Sequence, residues 1–289
     1  MPEFREQHYT AQDGLSLYYR EYGDRDAPET PVLCLGGLTR NSKDFHSVAM
    51  RLHTGRRVIC PDYRGRGRSA YDPNPQHYQP ATYLNDIRHL FAAANVGPAI
   101  IIGTSLGGLL AMAMGAAMPS MLAGVVLNDV GPDIGGDGLS RILDYVGVDR
   151  PHSDWDSAVQ DLRRMFPHLS LDTEEAWLEA AQATWREGAD GMLHFDWDVK
   201  LVDMLRDGPP VPDLWPLFHS LGNIPILAIR GALSDVLTAA TFDKMAMARA
   251  DLVQITVPGA GHVPTLSEPS VREPIDTFIA GLSHQKNER

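Results

Sequence analysis

The chain has 289 residues, 44% of them hydrophobic and 21% charged, with a formal net charge of −12. That length and balance suit one large α/β domain carrying an insertion, and rule out a disordered or fibrous chain. The acidic surplus argues against nucleic acid, anionic lipid surfaces and polyanionic substrates as partners.

In chain order, short apolar runs alternate with helical patterns, which predicts a mostly parallel sheet flanked by helices. The first strands are expected at 5–11 and 15–22, after a polar start that lacks the apolar core of a secretory signal. A third, 31–35, leads into Gly36-Gly37-Leu38, and a fourth, 57–60, leads into Asp62-Tyr63-Arg64-Gly65-Arg66-Gly67-Arg68-Ser69. The three arginines of this turn are read as pairing with local carboxylates and carbonyls. Tyr83, Ile87, Leu90 and Ala94 then mark one face of a helix. The run 99–102 ends in Gly103-Thr104-Ser105-Leu106-Gly107, followed by the apolar helix pattern from Gly108. A strand, a G-x-S-x-G turn and a helix in that order place a serine hydroxyl above a sheet edge. The apolar window from Gly108 to Leu127 is broken by Met118-Pro119-Ser120, so it reads as helix, turn and strand rather than a membrane span. Strand 124–127 ends at Asn128-Asp129.

From 131 to 223 the alternation stops, no buried strand is evident, and helical stretches such as 174–186 take over. All five Trp lie there, and residues 131–222 hold 18 acidic against 7 basic side chains, a net of −11. The interval is expected to be a helical cap domain (131–223) inserted into a core made of 1–130 and 224–289. At least one Trp is expected to line its pocket, the others packing the cap. Alternation resumes with strand 225–229, leading to Ser234-Asp235, and strand 252–257, leading to Gly259-Ala260-Gly261-His262. Cys34 and Cys60 each fall on a core strand and are read as buried free thiols, which suits a reducing, cytoplasmic compartment. No Cys/His cluster has metal-ligand spacing and no Walker-type loop occurs, so neither a metal nor a nucleotide cofactor is expected.

A serine hydroxyl needs a base, and the base needs an orienting carboxylate. His262, in a tight turn after a strand, is the candidate base for Ser105. Asp235, at the end of the preceding strand, is the preferred acid; Asp129, at the end of an earlier one, is the alternative.

These blocks together resemble the α/β-hydrolase family, from about residue 10 to about residue 282. Leu35-Gly36-Gly37-Leu38 is similar to its oxyanion loop, 62–69 to its D-x-x-G-x-G-x-S turn, and Ser105 with Asp235 and His262 to its triad in chain order. The loop departs from the family in one place, with Gly36 where a His is common. The resemblance implies an α/β-hydrolase fold with an inserted helical cap, and backbone amides of Leu38 and Leu106 as the oxyanion donors. It implies hydrolysis of a small or medium carboxylic ester through an acyl-serine, with a small-molecule substrate and no cofactor. A C–C bond hydrolase, a lactone, amide or thioester hydrolase, an acyltransferase and a slow-turnover small-molecule receptor are the alternatives on the same residues. A homodimer is compatible with the sequence.

Overall fold

The computed structural model describes residues 3–135, 143, 145–206 and 212–284. Eight strands form one sheet: β1 (Arg5–Thr10), β2 (Ser16–Tyr22), β3 (Val32–Leu35), β4 (Val58–Pro61), β5 (Ala99–Thr104), β6 (Leu122–Asn128), β9 (Ile226–Gly231) and β10 (Val253–Val257). Their order is β1-β2-β4-β3-β5-β6-β9-β10. Only β2 runs against the rest of this sheet; β4, β3, β5, β6, β9 and β10 pair in parallel. Each strand predicted from an apolar run is present to within two residues at either end.

Alternation along the strands divides the core between the two faces. Ile100, Ile102, Val126, Leu227 and Ile229 point to one face, under α1 (His46–Leu52) and α9 (Pro269–His284). Leu33, Ile101, Val125, Leu127 and Ala228 point to the other, under α2 (Pro80–Ala93), α3 (Leu106–Ala117), α7 (Trp215–Ser220) and α8 (Ala239–Ala248). Burial on both faces explains the near-continuous apolar runs. Cys34 and Cys60 are buried free thiols within the first layer, as their strand positions suggest.

Because β3, β5, β6, β9 and β10 are parallel, their C-terminal ends share one sheet edge. In such sheets ligands bind at that edge, where the strand order reverses; here the reversal lies between β3 and β5.

Between β6 and β9 the described chain holds α4 (Trp155–Met165), α5 (Glu174–Thr184), a hairpin of β7 (Trp185–Glu187) and β8 (Leu193–Phe195), a single turn α6 (Asp203–Arg206), and then α7, which packs on α3 of the core. Residues 136–142, 144 and 207–211 of the expected cap lie outside the described residues. The helices match the sequence reading; the hairpin does not. Its strands are three residues each, too short to show a period, and Arg186 and Glu187 make β7 look like a helix end.

Four of the Trp side chains make packing contacts, the role expected of most of them. Trp185 packs edge-on against His152 and beside Phe195, and Trp197 stacks on Phe195 at 4.0 Å while its Nε1 donates to Val146 O. Trp215 donates to Asp133 and meets Phe218 edge-on, and Trp177 lies under Arg163. A segment with little sheet to lean on uses its largest side chains to make its own core.

Candidate active site

Gly103 and Gly107 build the turn after β5. A Cβ on Gly103 would lie 2.5 Å from Gly107 O, and one on Gly107 would lie 2.0 Å from Leu35 O. Only glycine lets β5, α3 and the end of β3 approach so closely. Ser105 at the apex has φ 50° and ψ −115°, a backbone that L-residues rarely adopt and that neighbouring structure must hold. Its N–H donates to Asn128 O, and its own carbonyl accepts the N–H groups of Gly108 and Leu109.

His262 comes from the loop after β10. Its Nε2 is 3.0 Å from Ser105 Oγ and its Nδ1 is 2.6 Å from Asp129 Oδ2. The structure therefore joins Ser105 and His262 and corrects the acid: Asp129 faces the imidazole, not Asp235. The loop after β9, where Asp235 sits, contributes other groups. Gly231 N–H donates to Asp129 Oδ1 at 2.7 Å, and Ser234 Oγ–H to Asp129 Oδ2 at 2.5 Å. Ser234 Oγ in turn accepts the N–H groups of Val236 and Leu237. Asp129 is fully buried with φ 56°, and three donors converge on it. A buried carboxylate is tolerated when satisfied in this way.

Leu38 follows β3, and Leu106 opens α3, whose first amides point along a helix axis favourable to negative charge. A Cβ built on Gly37 would stand 3.7 Å from Ser105 Cβ, so the Gly36–Leu38 loop passes directly over the serine. The 62–69 turn braces that loop from behind. Tyr63 Oη donates to Gly36 O at 3.3 Å and Arg66 Nε to Leu38 O at 2.8 Å. Asp62 accepts the N–H groups of Ser42 and Arg68, yet burial pushes its carboxyl up to about 6.

The three turn arginines pair locally, as the sequence suggested. Arg64 binds Asp86, Asp72 and Asp13, Arg66 binds two carbonyls, and Arg68 binds Glu6. Asp13, Asp72 and His77 are close enough together to resemble a cation site. Arg64 Nη1 already bonds both carboxylates, at 2.7 and 2.5 Å, and supplies the positive charge there.

A cleft of about 630 Å³ reaches the neighbours of the triad, though Ser105 and His262 are not among its lining residues. Gly37, Thr104 and Val263 line its inner end and Ala176, Ala180 and Ala183 of α5 one wall. None of the five Trp lines it, so the expected Trp contact is not made there.

Residues 32–272 match the family described as "Alpha/beta hydrolase family", and the chain belongs to that family. It is 32% identical over 276 residues to a 3-hydroxybutyrate-oligomer hydrolase of Cupriavidus necator, spanning 92% of this chain and 93% of that one. It is 27% identical to a 2-(acetamidomethylene)succinate hydrolase of Mesorhizobium japonicum, over 92% of each chain. A crystal structure of an alpha/beta hydrolase from Novosphingobium aromaticivorans superposes with a TM-score of 0.90 at 41% identity, over 97% of this chain and 99% of that one. Hydrolysis is thus the activity class that the family and its named relatives share. Among the described residues no helix is long and apolar enough to cross a membrane.

Two residues now placed at the site escaped the sequence reading. Ser234 was overlooked because a serine next to the favoured Asp235 carries no signal of its own. Arg66 is read with Arg64 and Arg68 as pairing locally, which it does, but nothing in the sequence sets it apart as the one that reaches the Leu38 carbonyl.

Proposed function

We propose that this protein is a serine hydrolase of carboxylic esters that works through an acyl-Ser105 intermediate. The observation that carries the reading is the unbroken relay from Ser105 Oγ to His262 Nε2 at 3.0 Å and from His262 Nδ1 to Asp129 Oδ2 at 2.6 Å. Asp129 holds the imidazole with Nδ1 protonated, leaving Nε2 to accept the serine proton. Ser105 Oγ attacks the ester carbonyl, and the Leu38 and Leu106 amides receive the developing oxyanion. His262 returns the proton to the leaving alcohol. It then takes one from water, which attacks the acyl carbonyl and frees the acid. This chemistry calls for no cofactor.

The described helices and hairpin from 145 to 206 serve as a cap, with α5 walling the cleft that runs up to Gly37, Thr104 and Val263 beside the triad. The cleft falls within the usual size for small-molecule sites of roughly 300–1,000 Å³. The Cupriavidus necator relative, similar over nearly all of both chains, points to short oligoesters of hydroxy acids as the first substrates to try. The Mesorhizobium japonicum relative keeps an acetamido substrate as the second reading. The buried thiols of Cys34 and Cys60 favour a cytoplasmic setting.

The test is turnover of p-nitrophenyl esters of graded length and of 3-hydroxybutyrate dimer and trimer, beside N-acetyl amides. Esters are expected to turn over, and Ser105→Ala to lower kcat by about 10⁶. Amide turnover without ester turnover moves the assignment to the second reading. Ser105→Ala at the wild-type rate overturns the mechanism.

A further inference from the structure

Arg66 is fully buried. Among the described residues no carboxylate pairs with it, unlike Arg64 two residues earlier. Its partners are neutral. Nε donates to Leu38 O at 2.8 Å, and Nη1 donates to Arg64 O and Tyr83 Oη, both at 2.8 Å. The guanidinium lies over the rings of Tyr83 and Tyr63, at 4.8 and 5.5 Å, and Nη2 is buried without a partner. Burying an unneutralised cation is costly, and two rings and three acceptors only partly offset that cost. A residue serving stability alone at this position would be apolar or paired with an acid.

What the charge touches gives it a use. The carbonyls of Gly36, Gly37 and Leu38 each accept one hydrogen bond, from Tyr63 Oη, Arg40 N and Arg66 Nε respectively. The peptide that carries the Leu38 N–H is therefore held through Gly37 O, and the next one through Leu38 O. Gly37 and Arg40 close a turn whose central peptide carries the Leu38 carbonyl and the Thr39 N–H; holding that carbonyl fixes the backbone at the Leu38 corner, from which the Leu38 N–H of the preceding peptide projects. Arg66 is the side chain that holds it. No negative group neutralises the guanidinium, so its field also favours the negative charge that forms in front of this loop.

We propose that Arg66 is a positioning residue for the oxyanion loop, aiming the Leu38 N–H at the reacting carbonyl oxygen and lending that site a positive potential. The inference rests on the ester-hydrolase reading above. It goes beyond that reading by giving a turn residue outside the Ser–His–Asp set a part in transition-state stabilisation.

The experiment compares wild type, Arg66→Met, Arg66→Lys and Tyr83→Phe. Each is assayed for kcat and KM on a short p-nitrophenyl ester and for the inhibition constant of a trifluoromethyl ketone, which serine traps as a tetrahedral oxyanion. Arg66→Met is expected to lower kcat by about 10- to 100-fold, less than the 10²–10³ lost when a donor is deleted outright. KM should stay within about twofold of wild type, and ketone affinity should fall by the same factor as kcat. Arg66→Lys, which keeps the charge and can still reach one acceptor, should recover part of both losses. Tyr83→Phe, which frees one donor of Arg66, should show a smaller loss of the same kind; these two variants decide the matter if Arg66→Met does not fold. Ketone affinity unchanged while kcat falls, or a loss confined to KM or to melting temperature, overturns the proposal. Ser105→Ala in the same assay separates the two failures. An active Ser105→Ala sinks the ester-hydrolase reading, whereas a dead Ser105→Ala beside a wild-type-like Arg66→Met sinks only the role of Arg66.

Discussion

Asp129 draws its hydrogen bonds from two loops at once, and that convergence makes it the partner of His262. Gly231 N–H and Ser234 Oγ fix its two oxygens from the β9 side, and His262 Nδ1 approaches Oδ2 from the β10 side. Changing the oxygen that faces Nδ1 to an amide nitrogen reverses the donor, which favours the wrong imidazole tautomer. Asp129→Asn is therefore expected to lower kcat by about 10⁴ with the fold intact, and Asp235→Asn to stay within a few-fold of wild type. Steady-state kinetics on one ester check both, and a crippled Asp235→Asn beside an active Asp129→Asn would falsify the acid assignment. The sequence made Ser105 and His262 legible because a glycine-framed serine and a glycine-framed histidine after apolar strands have few other readings. It could not choose between the two acids. β6 and β9 are neighbours in the sheet, so their C-terminal ends offer two carboxylate positions side by side. The choice depends on which loop bends toward His262, a matter of tertiary contacts such as that of Ser234.

At the scale of elements, the crowded junction is the one where β3, β5 and α3 meet. A methyl on Gly107 collides with backbone, at 2.0 Å from Leu35 O and 2.9 Å from Gly36 O, so α3 or the Gly36–Leu38 loop must move. A methyl on Gly108 meets first a side-chain atom, Val130 Cγ1 at 2.3 Å, and then Gly103 O at 3.1 Å, so a buried, stiff side chain must give before backbone does. Gly107→Ala is expected to cost about 3 kcal/mol or more and to depress activity through the displaced loop. Gly108→Ala is expected to cost about half as much with activity near wild type. Urea unfolding followed by fluorescence, with an esterase assay on the same samples, ranks the two; equal costs would mean that the junction yields more easily than its distances imply. Elements of this kind were readable because strands buried on both faces are apolar throughout and end in glycine-rich turns. The β7–β8 hairpin was not, since six residues held by one short ladder and by Trp185 and Phe195 leave no periodic trace.

At the scale of the whole molecule, the segment between β6 and β9 is fastened to the loops that carry the site. Gly261, next to His262, donates its N–H to His168 O. Just beyond the Gly36–Leu38 loop, Asn41 Nδ2 donates to Ala183 O, and Lys43 Nζ donates to Gln182 O and to Asp196 Oδ2, the last two at 2.7 Å. The sequence foretold that such a segment exists but not how it is fastened. Packing is the role expected of most of its Trp, and Trp185 and Trp197 form its core; that the buried Asp196 is one of its anchors has no sign in the sequence. Asp196 is buried, and burial raises its pKa above the usual carboxylate range while Lys43 pulls it back down. A carboxyl raised in the folded state costs nothing at low pH, where it is protonated folded and unfolded alike, and costs progressively more as pH rises through its folded pKa. Lys43→Met removes the counter-charge and raises that pKa further, leaving Arg186, 3.6 Å away, as the remaining cation on Asp196. The variant is expected to lie close to wild-type stability near pH 4, to fall about 2 kcal/mol below it near pH 8, and to change its ranking of acyl chain lengths as the cleft wall loosens. Urea midpoints at a series of pH values, with kcat/KM for two esters at each, test this. A stability gap that does not grow with pH would show that the Lys43–Asp196 charge pair is not what holds the segment down.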